Sequence, residues 1–523
     1  MLKKIGILFA LILISVFTLA SCGDSSYGPD GMKFTLKDDG TYSVSIGRLK
    51  NQSKIVIPST YNDKAVTEIA EDGFAFYLHD PDYTIEEVVI PDTVTHIGDN
   101  AFSCCAALTS ITIPNSVISI GEYAFSSCDS LAFNEHENAY YIGNESNPYL
   151  VLIRATTKNI ASCEIHKDAR FIQSGAFLQC GNLKSITIHD GIFSIGSSSF
   201  RDCSSLTDVD IGENVKRIGG YAFYGCYKIT SLLIPDATES IGTEAFKYCS
   251  GISMISIGKG LKSVGKDAFS KCDKLLAVSI YDLTAWCNIA FENCDANPLS
   301  NKCDLYDHTS IITILSIPSD VKTISDYAFY NCKSLVCVKI IHNINAIGTD
   351  AFWGCSDLRR VEIGSLDNWA SVTFSNYYAN PLYHAENLYY FGESITNAEI
   401  VHAEKISDYA FYNCKNIKSV KISDSVKSIG YGAFDCCSYL EEVSIGNGVT
   451  SIGIGAFHNC RRMTRIVVGS GLETVGESAF LYCDSLANVY FRGSAKQWKN
   501  IEFGDDNDRF VYCNDKRYSY TGE

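Results

Sequence analysis

The stretch LTDVDIGENVKRIGGYAFYGCYK, Leu206–Lys228, contains the unit from which most of the chain is built. Its Ile-Gly pair and its Ala-Phe-x-x-Cys ending recur twenty-three residues later, where Phe246 takes the place of Phe223. A fixed period in the twenties is typical of a solenoid. The phenylalanine marks thirteen copies, at Phe102, Phe125, Phe177, Phe200, Phe223, Phe246, Phe269, Phe329, Phe352, Phe411, Phe434, Phe457 and Phe480. The sequence therefore predicts parallel strands stacked in 23-residue coils.

Each part of one copy predicts a local structure. The opening residues alternate apolar and polar as a half-buried strand does, so Val209 and Ile211 are expected to point inward and Asp210 outward. Val-x-x-Ile-Gly is a second short extended segment, and its glycine, such as Gly219, suits either a positive φ or a close backbone approach. The Ala-Phe-x-x-Cys ending fits a short helical or 3-10 turn. No unit can bury its apolar side alone, so we expect stability to come from stacking.

This pattern resembles the BspA-like leucine-rich-repeat surface proteins, whose repeats read close to L-x-x-V-x-I-P-x-x-V-x-x-I-G-x-x-A-F-x-x-C. The resemblance extends from about residue 55 to about residue 490. It implies a leucine-rich-repeat solenoid, a curved and elongated single domain, and an interaction role at the cell surface. It implies no particular ligand.

The first residues predict processing and anchoring rather than a folded segment. Lys3 and Lys4 precede a short apolar run, which indicates a signal peptide over residues 1–21. Leu19-Ala20-Ser21-Cys22 is similar to a bacterial lipobox, after which Cys22 would be the acylated first residue; the alternative is an ordinary secretory peptide with a chance cysteine. Acyl chains would then hold the protein on a membrane of the bacterial envelope, exposed at its surface.

The rest of the chain divides by pattern. We expect a tether over 22–31, a hairpin cap over 32–54, the solenoid over 55–490 and a C-terminal cap over 491–523. Variant coils are expected near 133–170, 281–320 and 364–403, where the spacing of 23 breaks. Trp286, Trp369 and Trp498 mark a shared submotif. They are expected to plug larger coils, or alternatively to form contact patches on the flank.

Thirteen of the twenty-two cysteines follow a marker phenylalanine by three residues, from Cys105 to Cys483. Stacked neighbours point in parallel, whereas a disulfide needs converging Cβ atoms, so we interpret them as a buried ladder of free thiols. Scattered disulfides and a metal site are the alternatives. We find no metal, phosphate-binding or nucleophile motif and therefore predict no enzyme and no cofactor.

The remaining place for function is the outward face of the long strands. Small hydroxyl and apolar residues dominate its early copies, and long charged residues dominate its late ones; the alternation also places Ser279 and Cys337 outward. A partner-binding face is hypothesised at Lys339, Arg360, Glu362, Lys421, Glu442, Arg465 and Tyr490. An ordinary solvated sheet would also be polar, which is the alternative. Replacing the four cations is expected to leave the fold intact.

These patterns lead to two functional hypotheses. The first is a lipid-anchored surface protein that presents a repeat scaffold to a protein partner, such as a host matrix protein or a protein of another cell. The second is a carbohydrate-binding surface module that uses the aromatic residues of the variant coils. A net charge of −17 argues against nucleic acid and against contact with a membrane other than through the lipid anchor.

Overall fold

The computed structural model describes residues 25–49, 52–75, 84–308 and 310–504. They divide into two compact units: unit 1 comprises Met1–Glu135 and Tyr140–Ile153, and unit 2 comprises His136–Ala139 and Arg154–Glu523. The predicted signal peptide, Cys22 and the last nineteen residues of the predicted C-terminal cap, 505–523, lie outside the described residues. Within the described ranges, no helix has the length and apolarity needed to cross a bilayer.

Unit 1 begins with an antiparallel hairpin followed by parallel coils. Lys33–Leu36 pairs with Tyr42–Ser45, which in turn lies parallel to Lys64–Ile69 of the first coil. This antiparallel pair lies within 32–54, the range of the predicted hairpin cap. The predicted tether is wrong in part, because Ser25–Tyr27 pairs with the first hairpin strand as a third strand. The other strands of unit 1 are Lys54–Val56, Thr60–Tyr61, Glu87–Val89, His96–Ile97, Ser110–Thr112 and Ser119–Ile120.

Each coil of unit 2 contributes a long strand to one row of parallel strands. The register is set by the repeat, since Asp208 pairs with Ser185 and Val209 with Ile186. The long strands are Ser185–Ile188, Asp208–Ile211, Ser231–Ile234, Met254–Ile257, Ala277–Ile280, Asp304–Asp307, Ile314–Ser316, Cys337–Ile340, Arg360–Ile363, Leu388–Tyr390, Asn397–Ile400, Ser419–Ile422, Glu442–Ile445, Arg465–Val468 and Asn488–Phe491. This confirms the predicted solenoid of parallel strands.

A short strand follows every long one except Asp304–Asp307 and Leu388–Tyr390, and these short strands form further parallel sheets. In unit 2 these strands are Phe171–Ile172, Ser194–Ile195, Arg217–Ile218, Ser240–Ile241, Ser263–Val264, Ala290–Phe291, Thr323–Ile324, Ala346–Ile347, Thr373–Phe374, Lys405–Ile406, Ser428–Ile429, Ser451–Ile452, Thr474–Val475 and Glu502–Phe503. Where the chain passes from unit 1 to unit 2 it forms Asn134–His136, Ala139–Ile142 and Val151–Ala155.

The segment around each marker phenylalanine, which we name the phenylalanine turn, is not the predicted helical turn. Alternate N–H groups donate in two directions: those of Tyr224 and Cys226 donate to carbonyls three residues back, and those of Phe223 and Gly225 donate to the next coil. Tyr221 and Gly225 have φ values of 56° and 72°. These left-handed residues turn alternate peptide groups along the stack, which a continuous helix cannot do.

The glycine of the Ile-Gly pair allows the backbones of two neighbouring coils to approach closely, and its φ is not positive. A Cβ atom on Gly219 would lie 2.5 Å from the backbone nitrogen of Ser197 in the preceding coil. Only Gln173, Ser325 and Ser407 replace this glycine among the thirteen copies, and each lies in the first copy after a break in the spacing.

Phenylalanine and cysteine fill the core of each coil. The rings of Phe200 and Phe223 are nearly parallel, with centroids 5.0 Å apart. All thirteen ladder cysteines are buried and free, and the Sγ atom of Cys226 donates to the carbonyl of Phe200 in the preceding coil at 3.1 Å. Burial raises the pKa of the Cys203 thiol to about 12. The geometry agrees with a ladder of protonated thiols.

Two variant coils and the C-terminal segment contain the helices of the described residues. Leu283–Cys287 and Leu366–Ser371 begin after Asp282 and Ser365, whose side chains accept the backbone N–H three residues on. The remaining helices are Leu382–Ala385, Ala495–Lys499 and the 3-10 turns Cys294–Ala296 and Pro298–Asn301. Two of these coils also end in a hairpin, closed by the strands Ser310–Ile311 and Glu393–Ser394.

Candidate functional site

The strand face, which we define as the outward side of the long strands of unit 2, carries the predicted binding residues in two separate sheets. Lys339 and Glu362 are register partners on neighbouring strands, and Lys339 Nζ lies 3.3 Å from Glu362 Oε2. Arg360 Nη2 lies 3.3 Å from the same oxygen. Its guanidinium also covers the ring of Tyr389, 4.1 Å from the centroid. The structure thus brings three of the predicted residues into one network.

Three residues expected to point into solvent are instead buried: Ser279, Cys337 and Glu362. The reason is the chain that follows each variant coil. Ser279 Oγ donates to the carbonyl of His308 in one hairpin, and Tyr389 of the other hairpin lies against Arg360, the register partner of Cys337. Arg360 also has a buried Nε atom without a hydrogen-bond partner. The expectation that these positions point into solvent is therefore wrong for Ser279, Cys337 and Glu362.

The second group lies on the last sheet of unit 2. Glu442 is the register partner of Arg465, which lies over the ring of Tyr490 at 4.9 Å. Lys421 Nζ is 2.7 Å from an oxygen of Glu399, and both side chains are more than half exposed. An exposed pair of this kind contributes little to stability. These side chains are accessible to a partner, although each of the four predicted cations already contacts a carboxylate or a ring.

The tryptophans of the variant coils are buried, as the structural interpretation predicts. Trp286, Trp369 and Trp498 are 1%, 2% and 3% exposed, so none of the three can offer a ring to a sugar. The indole N–H of Trp286 donates to the carbonyl of Ala328 at 2.9 Å, and that of Trp369 to Ala410 at 2.7 Å. They connect a variant coil to the regular coil after it.

A group of partly exposed rings, on one phenylalanine turn and the variant coil before it, was missed by the sequence interpretation. The tyrosine cluster, which we define as Tyr377, Tyr378, Tyr383, Tyr409 and Tyr412, has ring contacts with centroid separations from 4.2 Å between Tyr377 and Tyr378 to 6.3 Å between Tyr409 and Tyr412. All five side chains are partly exposed. The available signal was tyrosine two residues before and one after the marker, a pairing that Phe223, Phe329 and Phe411 share.

The pKa values of four phenols of this cluster are raised, so that these groups stay protonated well above neutral pH: those of Tyr377, Tyr383, Tyr409 and Tyr412. A hydrogen bond with Tyr378, followed by burial, raises the pKa of Tyr377 to about 12. Burial is the main cause of the raised pKa of Tyr409, and the carboxylates of Asp408 and Asp435 add to it. The cluster therefore offers neutral rings in a negative surrounding.

A cavity of about 650 Å³ lies beside the long strand Ser185–Ile188. His136, His166 and His189 line it, and the rings of His136 and His166 are 4.8 Å apart. Burial, and then the nearby His136, lower the pKa of His166. In the described ranges, no three His, Cys, Asp or Glu side chains are arranged to hold a metal ion.

The chain is similar to known repeat proteins over most of its length. A family model described as the BspA type leucine rich repeat region matches it in six copies, over residues 51–148, 170–297, 302–397 and 383–508. No curated protein matches the chain.

Solved structures of bacterial leucine-rich repeat proteins also match the chain. A leucine rich cell surface protein from Faecalibacterium prausnitzii is 23% identical, covers 92% of this chain and 97% of its own, and has a TM-score of 0.26. A leucine-rich repeat protein from Bacteroides ovatus is 22% identical, with coverage of 95% and 100% and a TM-score of 0.31. A leucine-rich repeat protein from Eubacterium ventriosum is 20% identical, with coverage of 71% and 92% and a TM-score of 0.32.

Proposed function

The chain belongs to the family of BspA-type leucine-rich repeat proteins, and from this premise we propose that it is a lipid-anchored protein of the bacterial surface that binds a protein partner. Its strand face is the proposed contact surface. The observation that carries this proposal is the accessible row Lys421, Glu442, Arg465 and Tyr490, which presents charged and aromatic side chains from neighbouring strands of one rigid sheet.

The fixed spacing of a parallel sheet supports this role. Side chains on adjacent strands are about 4.8 Å apart, so a partner meets the same pattern in every molecule and loses little entropy in ordering it. Arginine and tyrosine are also enriched among residues that dominate protein interfaces. Because Arg465 and Tyr490 are already in contact, the face is preorganised.

The contact is best tested by reversing charge at Lys421→Glu, Glu442→Lys and Arg465→Glu together in the full chain. Lys339 and Arg360 are left unchanged, because replacing either would remove a partner of the buried Glu362 carboxylate. The variant should lose binding to immobilised purified matrix proteins or to intact cells, and the binding of the parent chain should weaken as salt is raised.

A matched control carries the same types of change on the other side of the coil: Lys405→Glu, Lys427→Glu and Glu473→Lys, all exposed. It should bind as the parent does. Equal binding by both triple variants and the parent would remove the strand face from the proposal.

The anchor is proposed at Cys22, and the lipobox spacing supports it. Labelling with a palmitate analogue and globomycin-sensitive processing should both be lost in Cys22→Ala. If Cys22→Ala is still acylated and still held on the membrane, the lipoprotein interpretation is wrong.

A further inference from the structure

The turns of unit 2 contain three tyrosine pairs at equivalent positions, around Phe223, Phe411 and Phe329, and among the described residues only the first pair is covered by a cation. Tyr221 and Tyr224 flank the marker Phe223, and Arg201 of the preceding coil lies over both rings, 5.5 Å and 4.8 Å from their centroids. This places a guanidinium on a tyrosine surface through a cation–π contact. The first pair therefore shows which chemical group this turn geometry accepts.

The second pair, Tyr409 and Tyr412, flanks the marker Phe411 in the same way. Its neighbours in the preceding variant coil are the aromatic residues Tyr377 and Tyr383. Within the part of the chain that the structure describes, no arginine or lysine lies over any ring of the tyrosine cluster. The cation of the first pair has no counterpart here.

The rings continue beyond the cluster as one strip. Trp353 stacks on Tyr330 at 4.8 Å and contacts Tyr378 at 6.4 Å, and Tyr431 contacts Tyr409 at 5.2 Å. A partner segment several residues long would therefore meet aromatic rings along its length.

Carboxylates are placed along this strip without a lysine or arginine to balance them. Asp326, Asp350 and Asp408 hold backbone or amide N–H groups, and Asp435 lies 2.8 Å from His458. Among the described residues, none of the four forms an ion pair with a lysine or arginine. Aromatic faces and carboxylates both attract cations, so the two features favour the same ligand.

We propose that the tyrosine cluster binds an arginine- or lysine-rich segment of a partner protein, with the cationic side chains placed over the rings as Arg201 lies over Tyr221 and Tyr224. This surface lies on one phenylalanine turn and on the variant coil before it, and it is a second contact site, separate from the strand face.

The test uses the full chain and a fluorescent hexa-arginine peptide, followed by anisotropy at low salt. Tyr383→Leu with Tyr412→Leu keeps the net charge, so a change in affinity reports on the rings and not on the acidic character of the chain. Removing one cation–π interaction corresponds to a decrease of about 2- to 30-fold in affinity. We expect the double variant to bind about tenfold more weakly.

The matched control is Tyr221→Leu with Tyr224→Leu, at the equivalent positions, where Arg201 already supplies the cation. Its affinity should equal that of the parent. Conversely, Arg201→Gln uncovers that pair and should raise the number of bound peptides from one to two. This arm leaves the cluster untouched, so it remains informative if the cluster variant is poorly folded.

Three results would overturn the proposal. The first is equal affinity of the parent and a folded cluster variant, which would assign binding to net charge alone. The second is an unchanged number of bound peptides in Arg201→Gln. The third is displacement of hexa-arginine from the parent by a neutral polysaccharide such as hydroxyethyl cellulose, which would assign the rings to sugars.

Discussion

A regular coil and a variant coil use different donor atoms to hydrogen-bond the carbonyls of the next coil. In the regular run, the backbone N–H of Phe223 donates to the carbonyl of Ala245 in the next coil at 2.8 Å. In the variant coil, the carbonyl of Ala328 accepts instead from the indole of Trp286 and the amide of Asn297, at 2.9 Å and 3.1 Å. The second variant coil repeats this with Trp369 and Asn380 on Ala410.

The difference teaches what one coil must provide to the next. Its length and its secondary structure can change, provided that N–H groups reach the carbonyls of the following turn, because a buried carbonyl without a partner is costly. Regular coils supply these donors from the backbone. Variant coils supply them from two side chains, so their stability should depend on single residues to a greater degree.

The sharpest way to break this comparison is Trp369→Ala. It removes a side chain that is 2% exposed together with its donor to Ala410, and we expect a loss of about 3–5 kcal/mol in the free energy of unfolding, measured by urea denaturation. Trp369→Phe, which removes the donor but keeps most of the ring, should lose less. Trp353 is partly exposed, so Trp353→Ala is the control. An equal loss of stability in that variant would contradict the interpretation that Trp369 fills the core of its coil.

A second test compares the same repeat position after a regular coil and after a variant coil. Gly219→Ala places a Cβ atom 2.5 Å from the nitrogen of Ser197, so it should destabilise by up to about 3 kcal/mol. Ser407 holds the equivalent position after a variant coil, and its backbone N–H donates to Ala370 of the variant-coil helix. Its buried Oγ has no partner, so Ser407→Ala should be neutral or slightly stabilising by thermal unfolding. Similar losses of stability in both variants would show that the preceding coil does not determine which residue type this position tolerates.

The buried amides are expected to matter somewhat less than the tryptophans. Asn297 is fully buried and holds the Leu299 N–H and the carbonyls of Tyr327 and Ala328. Asn297→Ala should cost about 2 kcal/mol in the same urea titration, since it removes the acceptor of the Leu299 N–H and the donor to the Tyr327 carbonyl, while the Ala328 carbonyl keeps the Trp286 indole. Asn288→Ala, at an exposed helix end of the same coil, should cost well under half of that. If Asn288→Ala lost more stability than Asn297→Ala, the stability of this coil would depend mainly on its helix.

The smallest expected effect is chemical and should leave the fold unchanged. At pH 8, iodoacetamide should label the partly exposed Cys294 of the variant coil before the ladder thiols Cys249 and Cys272. Burial raises the pKa of Cys272 to about 12, so its reactive thiolate is scarce until the pH is strongly alkaline. Mass spectrometry of labelled peptides reads the order, and early labelling of Cys249 would contradict the ladder.

The same raised pKa values fix the pH dependence of stability. Unfolded thiols ionise near pH 8.5 while the folded ladder stays protonated, so the folded state is fully favoured below about pH 8.5. Stability should fall as the pH rises toward 12. Thermal unfolding at stepped alkaline pH measures it.

The repeat could be predicted because the same residue types recur at the same spacing in every copy. The inward strand residues, the marker phenylalanines and the thiol ladder follow from that period alone. The shape of the phenylalanine turn could not be predicted, since the left-handed positions are filled by residues as different as Tyr221, Glu244 and Asp267. The burial of Cys337 and Glu362 depends on the hairpin that begins at Leu388, well beyond both residues along the chain, which strand alternation does not encode. The tyrosine cluster likewise forms only when a variant coil is folded against the regular coil after it.

The paired left-handed residues of the phenylalanine turns also constrain how this chain can change in length. The left-handed backbone conformation of each such residue is unfavourable by itself. It is stabilised by N–H groups that donate hydrogen bonds to the neighbouring coil. Removing one residue would shift every later donor away from its acceptor, whereas removing a whole copy, such as residues 206–228, would join two identical registers. Gain and loss of genetic material should therefore be tolerated in multiples of the repeat, and related chains should differ by whole coils more readily than by single residues.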